Sequence, residues 1–260
     1  MEHRARKRFG QNFLTDPNTV RRIVEAIAPR QEDVVVEIGP GLGALTEPLL
    51  ARLPRLHVIE IDRDLIARLR ERHPPDRLVI HEGDALAFDF ASLGERLKVV
   101  GNLPYNISTP LLFHLAGFAA QLREMTFMLQ KEVVMRMVAA AGSGDYGRLS
   151  VMLQYRFEMV RLFDVPPGAF RPAPKVTSSI VRMVPKPASA LDATDPELLA
   201  EVVARAFGQR RKTLRNTLKG FVDGGVLEEL GIDPGLRAER LALGEFVAIA
   251  NRVAALRARP

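Results

Sequence analysis

The 260-residue sequence contains no cysteine, and it has no apolar run near the length needed to span a bilayer. The absence of cysteine excludes disulfides, thiolate nucleophiles and thiolate metal sites. Hydrophobic residues make up 47% and charged residues 26% of the chain, a balance typical of globular proteins with a substantial core. We therefore expect a soluble, cytoplasmic protein with no membrane role.

Paired metal ligands and a secretory signal are also missing from the sequence. The five histidines are scattered without a spacing such as H-x-x-x-H, and lone histidines are more often core or surface residues than ligands. We expect no metal. The chain starts with the cations Arg4, Arg6, Lys7 and Arg8, but no apolar segment and small-residue cleavage site follow them. These cations are candidates for RNA contact, and a solvated tail is the alternative.

Apolar, β-branched stretches alternate with segments of helical spacing in the first half of the chain. The stretches cover residues 34–38, 57–61, 78–81, 97–101 and 125–130, and most are short enough to be buried parallel strands. Asp16 and Pro17 are typical of a helix start before the first strand. The alternation predicts an α/β fold with a parallel sheet. Residues 157–165 and 176–184 flank a proline-rich loop and suit an antiparallel pair at the sheet edge.

The chain is longer than a usual single domain but shorter than two full ones. Residues 185–190 read Pro-Lys-Pro-Ala-Ser-Ala, the composition of a linker, and the remainder has helical patterns. We predict a larger domain over residues 1–185 and a small helical domain over residues 186–260.

A glycine-rich turn follows the first predicted strand, with glycine at positions 39, 41 and 43. A strand, such a turn and then a helix place backbone N–H groups against a ligand, and glycine allows close approach. The turn also fits the dinucleotide fingerprint, and Glu60 at the end of the second strand would accept from ribose hydroxyls in either class. These residues predict a nucleotide cofactor of either type, and a tight turn with a solvated carboxylate is the alternative.

Carboxylates at the strand ends favour S-adenosylmethionine. Glu37 lies two residues before the first glycine, and Asp84 follows the third strand, where it can accept from an adenine amino group. In an open α/β sheet these strand ends line one crevice. The cofactor carries a sulfonium and an α-ammonium, so a site with Glu37, Glu60 and Asp84 suits it better than a pyrophosphate. For Asp84 alone, a turn cap is the alternative.

The segment Asn102-Leu103-Pro104-Tyr105 follows the fourth predicted strand. Pro104 has no N–H and favours an extended Leu103, so the loop can present carbonyl oxygens, and Asn102 adds a side-chain carbonyl. Two acceptors on an exocyclic amine would favour a pyramidal nitrogen with its lone pair aimed at a methyl donor. Tyr105 offers a face for the base. Alone, the segment is an ordinary turn; after the glycine turn and the acids, it indicates a methyltransferase acting on adenine in RNA.

The spacing over residues 207–221 predicts one helix with an apolar and a cationic stripe. The apolar stripe comprises Phe207, Leu214, Leu218 and Phe221, and the cationic stripe comprises Arg211, Arg215 and Lys219. Like charges at this spacing destabilise a helix by roughly a few tenths of a kcal/mol each, so a phosphate backbone is a reasonable partner. A solvated basic face is the alternative. Such cations would position RNA rather than read its bases.

Seven segments distributed over nearly the whole chain support a family assignment: residues 9–14, 37–43, 58–62, 83–85, 101–108, 170–176 and 209–216. Together they resemble the ribosomal RNA adenine dimethyltransferase family, particularly its bacterial small-subunit branch. The resemblance implies a Rossmann-like class I S-adenosylmethionine-dependent methyltransferase domain followed by a small all-helical C-terminal domain. It also implies transfer of two methyl groups to N6 of each of two adjacent adenosines in a hairpin loop near the 3′ end of small-subunit rRNA.

The family pattern and the residue-level reasoning together give three sets of candidate site residues. The cofactor set is Asn12, Leu14, Glu37, Gly39, Gly41, Gly43, Glu60, Asp84 and Asn102. The target-base set is Asn102, Leu103, Pro104 and Tyr105, with Phe170 resembling a second aromatic plate; packing of Phe170 against the domain is the alternative. The RNA set is Arg4, Arg6, Lys7, Arg8, Arg210, Arg211, Lys212, Arg215 and Lys219.

The glycine turn and the Asn-x-Pro-Tyr loop do not settle the substrate, because dimethylases of large-subunit rRNA share both. Residues 209–216 and 237–251 resemble the small-subunit branch, so we expect a monomeric enzyme that acts on 16S rRNA in a partly assembled small subunit. The alternatives are a large-subunit dimethylase, a non-catalytic ribosome assembly factor, and an NAD-dependent oxidoreductase, which would leave residues 102–105 without a role.

Overall fold

The computed structural model describes residues 12–222 and 224–258, which form two compact units. The first unit comprises residues up to Val134 together with Glu158–Pro185, and the second comprises Met135–Phe157 together with the residues from Lys186 onward. The strands are β1 (Phe13–Leu14), β2 (Val35–Ile38), β3 (Leu56–Glu60), β4 (Leu78–Glu82), β5 (Leu97–Asn102), β6 (Leu122–Gln130), β7 (Phe157–Val165), β8 (Phe170–Arg171) and β9 (Ser178–Pro185).

The α-helices are α1 (Pro17–Ile27), α2 (Thr46–Leu50), α3 (Arg63–Arg72), α4 (Ser108–Gly117), α5 (Lys131–Met137), α6 (Arg148–Arg156), α7 (Pro196–Ala206), α8 (Leu214–Thr217), α9 (Gly224–Glu229) and α10 (Leu243–Arg257). Asp16 caps α1 as predicted, because its carboxylate accepts from the Thr19 N–H at 2.8 Å and Pro17 occupies the first turn. No helix in the described ranges combines the length and apolar character needed to cross a bilayer.

The first unit contains a seven-stranded sheet in the order β4-β3-β2-β5-β6-β9-β7, counted over the described residues. The pairs β4–β3, β3–β2, β2–β5 and β5–β6 are parallel, and β9 pairs antiparallel with β6. Every residue of β2 is buried, which explains why the strand is apolar apart from Glu37. The predicted α/β fold with a parallel sheet and an antiparallel addition is therefore confirmed.

A buried ion-pair network joins α1 to the sheet. The Lys98 ammonium on β5 lies 3.0 Å from both Asp33 Oδ2 and Glu124 Oε1, and it donates to the carbonyl oxygens of Ile27 and Ala28 at the end of α1. These carbonyls have no partner within the helix, so the cation satisfies them. The network fixes the helix that directly follows Asn12 and β1.

The second unit is helical and has its own core. Its core includes side chains of α6, α7 and α10, among them Val151, Leu199 and Ile249. The expected boundary after residue 185 is present, but residues 135–157 lie in the helical unit, whereas the sequence analysis placed them in the first domain. The physical reason is that the apolar side chains of α6 pack with those of α7 and α10.

The prediction of one helix over residues 207–221 is wrong. Helix α7 ends at Ala206, and only Leu214–Thr217 is helical within that range. The N–H groups of Leu214 and Arg215 donate to the carbonyl oxygens of Leu236 and Pro234, at 2.8 and 3.0 Å. Because these donors are used in contacts with another segment, an uninterrupted helical hydrogen-bond ladder cannot form through them.

Candidate active site

A cavity of about 270 Å³ lies at the carboxyl ends of the parallel strands of the first unit. Its wall contains the turn after β2, the end of β3, the turn after β4 and residues 102–107. The structure brings together eight of the predicted cofactor residues in this wall: Asn12, Leu14, Glu37, Gly39, Gly41, Glu60, Asp84 and Asn102. Carboxyl ends of strands are where open α/β sheets bind ligands.

The glycine turn after β2 uses left-handed backbone conformations. Gly41 has φ of 60°, and a Cβ placed there would come within 3.2 Å of the Phe13 ring. Gly43 has φ of 89°, is buried, and donates its N–H to the Pro40 carbonyl at 2.9 Å. Gly43 lies outside the residues that line the cavity, and its assignment to the cofactor set stays a prediction. Gly43 allows the turn to form, because residues with a side chain rarely adopt its positive φ.

Glu60 closes the cavity wall at the end of β3. One carboxylate oxygen accepts from the Ile61 and Asp62 N–H groups at 2.9 Å, and the other accepts from the Gly41 N–H at 3.4 Å. Burial raises the pKa of Glu60, although these three backbone donors oppose the shift. The carboxylate is therefore held rigidly beside the glycine turn, where it can accept further hydrogen bonds.

Glu37 is a second carboxyl in the wall and is only 2% exposed. It accepts a hydrogen bond from Thr46 Oγ1 at 2.6 Å. Burial, followed by the negative charge of Glu60, raises the pKa of Glu37 to about 7, and the Thr46 hydroxyl opposes the shift. Thr46 was not predicted as a site residue, because a single threonine at a helix start carries no specific signal.

Asp84 lines the cavity from the turn after β4 and is exposed. One of its carboxylate oxygens accepts from the Leu86 N–H at 2.9 Å. Asp84 therefore forms the turn cap that was considered for it, and its position in the wall leaves it able to accept from a bound ligand as well.

Asn102 is oriented by a hydrogen bond from its side-chain amide. Its Nδ2 donates to the backbone carbonyl of Asn12 at 3.0 Å. This bond makes Oδ1 the side-chain atom available to accept from a ligand. The next residue, Leu103, has a buried side chain and donates its N–H to the Met128 carbonyl at 3.2 Å. Both residues line the cavity, and their two hydrogen bonds anchor the start of the Asn-Leu-Pro-Tyr loop to Asn12 and to β6.

Tyr105 forms another part of the wall, with its phenol oxygen 2.7 Å from Ser178 Oγ. Burial raises the pKa of Tyr105, which keeps the phenol protonated. Ser178 was not predicted as a site residue, because it starts β9 and is distant from Tyr105 in sequence. Only the pairing of strands brings it to Tyr105.

Phe170 lies outside the residues that line the cavity, and its role as a plate over the target base stays a prediction. Its side chain is fully buried in the core of the first unit, and β8 pairs with β1 so that Phe170 lies opposite Leu14. This is the packing role considered as the alternative. A large apolar ring gains more from complete burial than from a position at a cavity edge.

The predicted RNA-contact residues of the second unit are exposed: Arg210, Arg211, Lys212, Arg215 and Lys219. Leu214 and Leu218 are buried, so the predicted separation of apolar and cationic side chains is present without the predicted helix. Arg210 also donates to the Gly144 carbonyl at 3.2 Å. Arg4, Arg6, Lys7 and Arg8 lie outside the described residues. Across the described ranges, no group of three or more His, Cys, Asp or Glu side chains is placed to hold a metal ion.

Comparison with known proteins shows the family. The model of the ribosomal RNA adenine dimethylase family matches residues 2–255. The chain is 73% identical to a ribosomal RNA small subunit methyltransferase A of Aromatoleum aromaticum, covering 98% of this chain and 96% of the relative. It is 61% identical to a protein of the same name from Chromobacterium violaceum, covering 97% of each chain.

Two solved structures also match over most of their length. A dimethyladenosine transferase from Plasmodium falciparum is 27% identical with a TM-score of 0.81, covering 93% of this chain and 98% of the other. The 23S rRNA methyltransferase ErmE is 27% identical with a TM-score of 0.71, covering 94% and 100%. On this family match and these identities, the chain belongs to the ribosomal RNA adenine dimethylase family.

Proposed function

We propose that this enzyme transfers methyl groups from S-adenosylmethionine to N6 of adenosines in small-subunit rRNA, giving N6,N6-dimethyladenosine. The observation that carries the proposal is the orientation of Asn102. Its Nδ2 is engaged by the Asn12 carbonyl, so Oδ1 is the atom that can accept from a substrate amine at the edge of a cavity with two buried carboxyls.

The chemistry of the cavity fits S-adenosylmethionine. Glu37 and Glu60 lie close enough for the charge of one to raise the pKa of the other, an arrangement that favours a cationic ligand over a polyphosphate. Glu60 would accept from the ribose hydroxyls, Asp84 from the adenine amino group, and Glu37 would face the cationic part. When bound, the cofactor supplies an electrophilic methyl group on its sulfonium.

The Asn-Leu-Pro-Tyr loop would hold the target adenine for attack. The amine lone pair is delocalised into the ring, and two acceptors on its hydrogens, Asn102 Oδ1 and a loop carbonyl, favour a pyramidal nitrogen that can attack. Catalysis is then alignment and electrostatic stabilisation. The amine proton becomes acidic only once nitrogen carries positive charge, so it can leave to solvent after attack. The Tyr105 ring would stack on the base.

The high-identity relatives are named as small-subunit enzymes, and this supports 16S rRNA over large-subunit rRNA as the substrate. We extend the proposal to two adjacent adenosines in a hairpin loop near the 3′ end, modified in the cytoplasm by a monomer acting on a partly assembled subunit. The exposed cations of residues 210–219 would bind phosphates, and so would Arg4, Arg6, Lys7 and Arg8 of the chain start.

Label transfer to ribosomal particles tests the proposal. The protein is incubated with methyl-labelled S-adenosylmethionine and either small or large subunits that lack the modification, and the labelled nucleoside is identified after digestion. We expect N6,N6-dimethyladenosine from the small subunit. Label on the large subunit instead would support the large-subunit alternative, and binding to the small subunit without label would support the non-catalytic assembly factor.

A further inference from the structure

Tyr105 is restrained through both its side chain and its backbone. Its phenol oxygen lies 2.7 Å from Ser178 Oγ, and its backbone carbonyl accepts from Ser108 Oγ at 3.1 Å. The preceding residue, Pro104, accepts from the Ile107 N–H at 3.2 Å. A ring held at its far end and at its backbone has little freedom to rotate or tilt. Its orientation at the cavity wall is therefore defined before any ligand arrives.

Ser178 connects this ring to the central strands. It is fully buried and lies opposite Gln130 in the antiparallel pairing of β9 with β6. Two residues earlier on β6, the Met128 carbonyl accepts from the Leu103 N–H. The backbone of the Asn-Leu-Pro-Tyr loop and the ring of Tyr105 are thus anchored to the same pair of strands. Sites held by rigid strands keep their geometry better than free loops do.

The neighbouring serine has a different partner. Ser179 is also fully buried, but its hydroxyl donates to Asp164 Oδ1 at 2.6 Å. Asp164 also forms ion pairs with Lys131 at 2.7 Å and Arg161 at 2.8 Å. Adjacent strand residues point to opposite faces of a sheet, so the two hydroxyls form hydrogen bonds on opposite faces. Ser179 therefore provides a matched control for Ser178.

We propose that Ser178 is a positioning residue, whose hydroxyl holds the Tyr105 ring as a fixed plate for the target base. The inference rests on the proposed adenine N6 methylation. Because the phenol is engaged by Ser178, Tyr105 offers the base its ring face rather than its hydroxyl. Stacking on a π face tolerates any flat base. Discrimination in favour of an exocyclic amine therefore falls to Asn102 and the loop carbonyl, while Ser178 and Tyr105 set where the base lies.

Single-turnover methylation by the full-length protein tests this role. With cofactor and small subunits both saturating, we expect Ser178→Ala to lower the rate about tenfold, because a small loss of alignment has a large effect on transfer. Tyr105→Phe keeps the ring but removes the phenol, so it should show a similar loss. The double variant should be no slower than either single variant, since both remove one interaction. Cofactor affinity should stay within about twofold.

The control variant Ser179→Ala should lose thermal stability and keep the wild-type rate in its folded fraction. A wild-type rate for Ser178→Ala, or additive losses in the double variant, would overturn the positioning role. A wild-type protein that transfers no methyl group would overturn the proposed function instead.

Nuclear magnetic resonance of ring-labelled tyrosine tests the contact without catalysis. The chain has three tyrosines, Tyr105, Tyr146 and Tyr155, so their signals can be assigned by substitution. We expect Ser178→Ala to shift the Tyr105 ring signals and speed its ring flips, while the signals of the other two tyrosines stay in place. Unchanged Tyr105 signals in Ser178→Ala would contradict the inference even in an active enzyme.

Discussion

At the residue scale, the protonation state of Glu37 should affect how strongly the site binds its proposed cationic ligand. Its carboxyl is buried beside Glu60, and its pKa is raised to about 7 chiefly because burial disfavours the charged form. Near neutral pH the empty site therefore holds a mixture of protonated and ionised Glu37. A cationic ligand favours the ionised form, so its binding is coupled to loss of a proton.

The affinity for S-adenosylmethionine should consequently depend on pH. Between about pH 6 and 8, binding should strengthen as Glu37 ionises, and above that range this dependence should flatten. Glu37→Gln should bind more weakly and lose this part of the pH dependence. Isothermal titration calorimetry at several pH values measures both effects. Glu25→Gln, on the exposed face of α1, is the control. An identical pH profile in Glu37→Gln and wild type would contradict the assignment.

The raised pKa of Glu37 should also make the stability of the cofactor-free protein depend on pH, but in the opposite direction, because stability should fall as Glu37 ionises. Because the folded-state pKa of Glu37 lies above its ordinary value of 4.5, the folded protein binds more protons than the unfolded protein between these values. The stability of the folded state therefore falls as pH rises through this interval. Glu37→Gln removes the cost of a buried charge. At pH 8 it should be more stable than wild type by on the order of 2 kcal/mol, and near pH 4.5 this difference should disappear. Urea unfolding at both pH values measures the difference.

At the element scale, the sequence predicted best where local pattern and burial agree. The predicted strands at 34–38, 57–61 and 78–81 match β2, β3 and β4 to within one residue at each end. In β2 the agreement has a clear cause, because every residue of that strand is buried and all but Glu37 are apolar. The prediction of a helix over 207–221 was wrong because the N–H groups of Leu214 and Arg215 donate to carbonyl oxygens of a segment some twenty residues away. No periodicity in the sequence reports such a contact. Ser178 was missed for the same reason.

The end of β5 leaves no space for a side chain at Gly101. A Cβ there would lie 2.5 Å from the Ile38 carbonyl oxygen on β2, and both atoms belong to strands that cannot move independently. Gly101→Ala should therefore destabilise the protein by about 2 kcal/mol and displace the adjoining Asn102. Chemical denaturation measures the loss. Gly117→Ala in α4, where nothing lies within 4 Å, should be neutral or slightly stabilising. Equal stability of the two variants would contradict this account.

At the scale of the whole molecule, the linker composition at 185–190 coincides with the passage between the units after Pro185, but the sequence held no signal for the two passages after Val134 and Phe157. Residues 135–157 carry a helical pattern compatible with either unit, and only their packing with α7 and α10 assigns them. The same limit applies to Phe170, because its ring could have faced the cavity or the core. Motifs identified the chemistry of the site, while long-range packing decided which residues line it.

RNA binding by the second unit should depend on salt through its exposed cations. Replacing Arg211, Arg215 and Lys219 by glutamine should weaken binding to small-subunit RNA and reduce the slope of log affinity against log salt by up to about 3. Cofactor affinity should not change. Arg252→Gln is the matched control, because Arg252 is already paired with Glu229 at 2.7 Å. An unchanged slope in the triple variant would exclude these side chains as phosphate contacts.

The central claim is that Asn102 Oδ1 presents the amine of small-subunit adenosines to the methyl donor. Mass spectrometry of the 3′ RNA fragment, after incubation of subunits with enzyme and S-adenosylmethionine, tests it most directly. The account predicts two dimethylated adenosines with the wild-type protein and a rate about 100-fold lower with Asn102→Ala, despite retained RNA binding. An unmodified fragment with the wild-type protein, or full modification at the wild-type rate with Asn102→Ala, would contradict it.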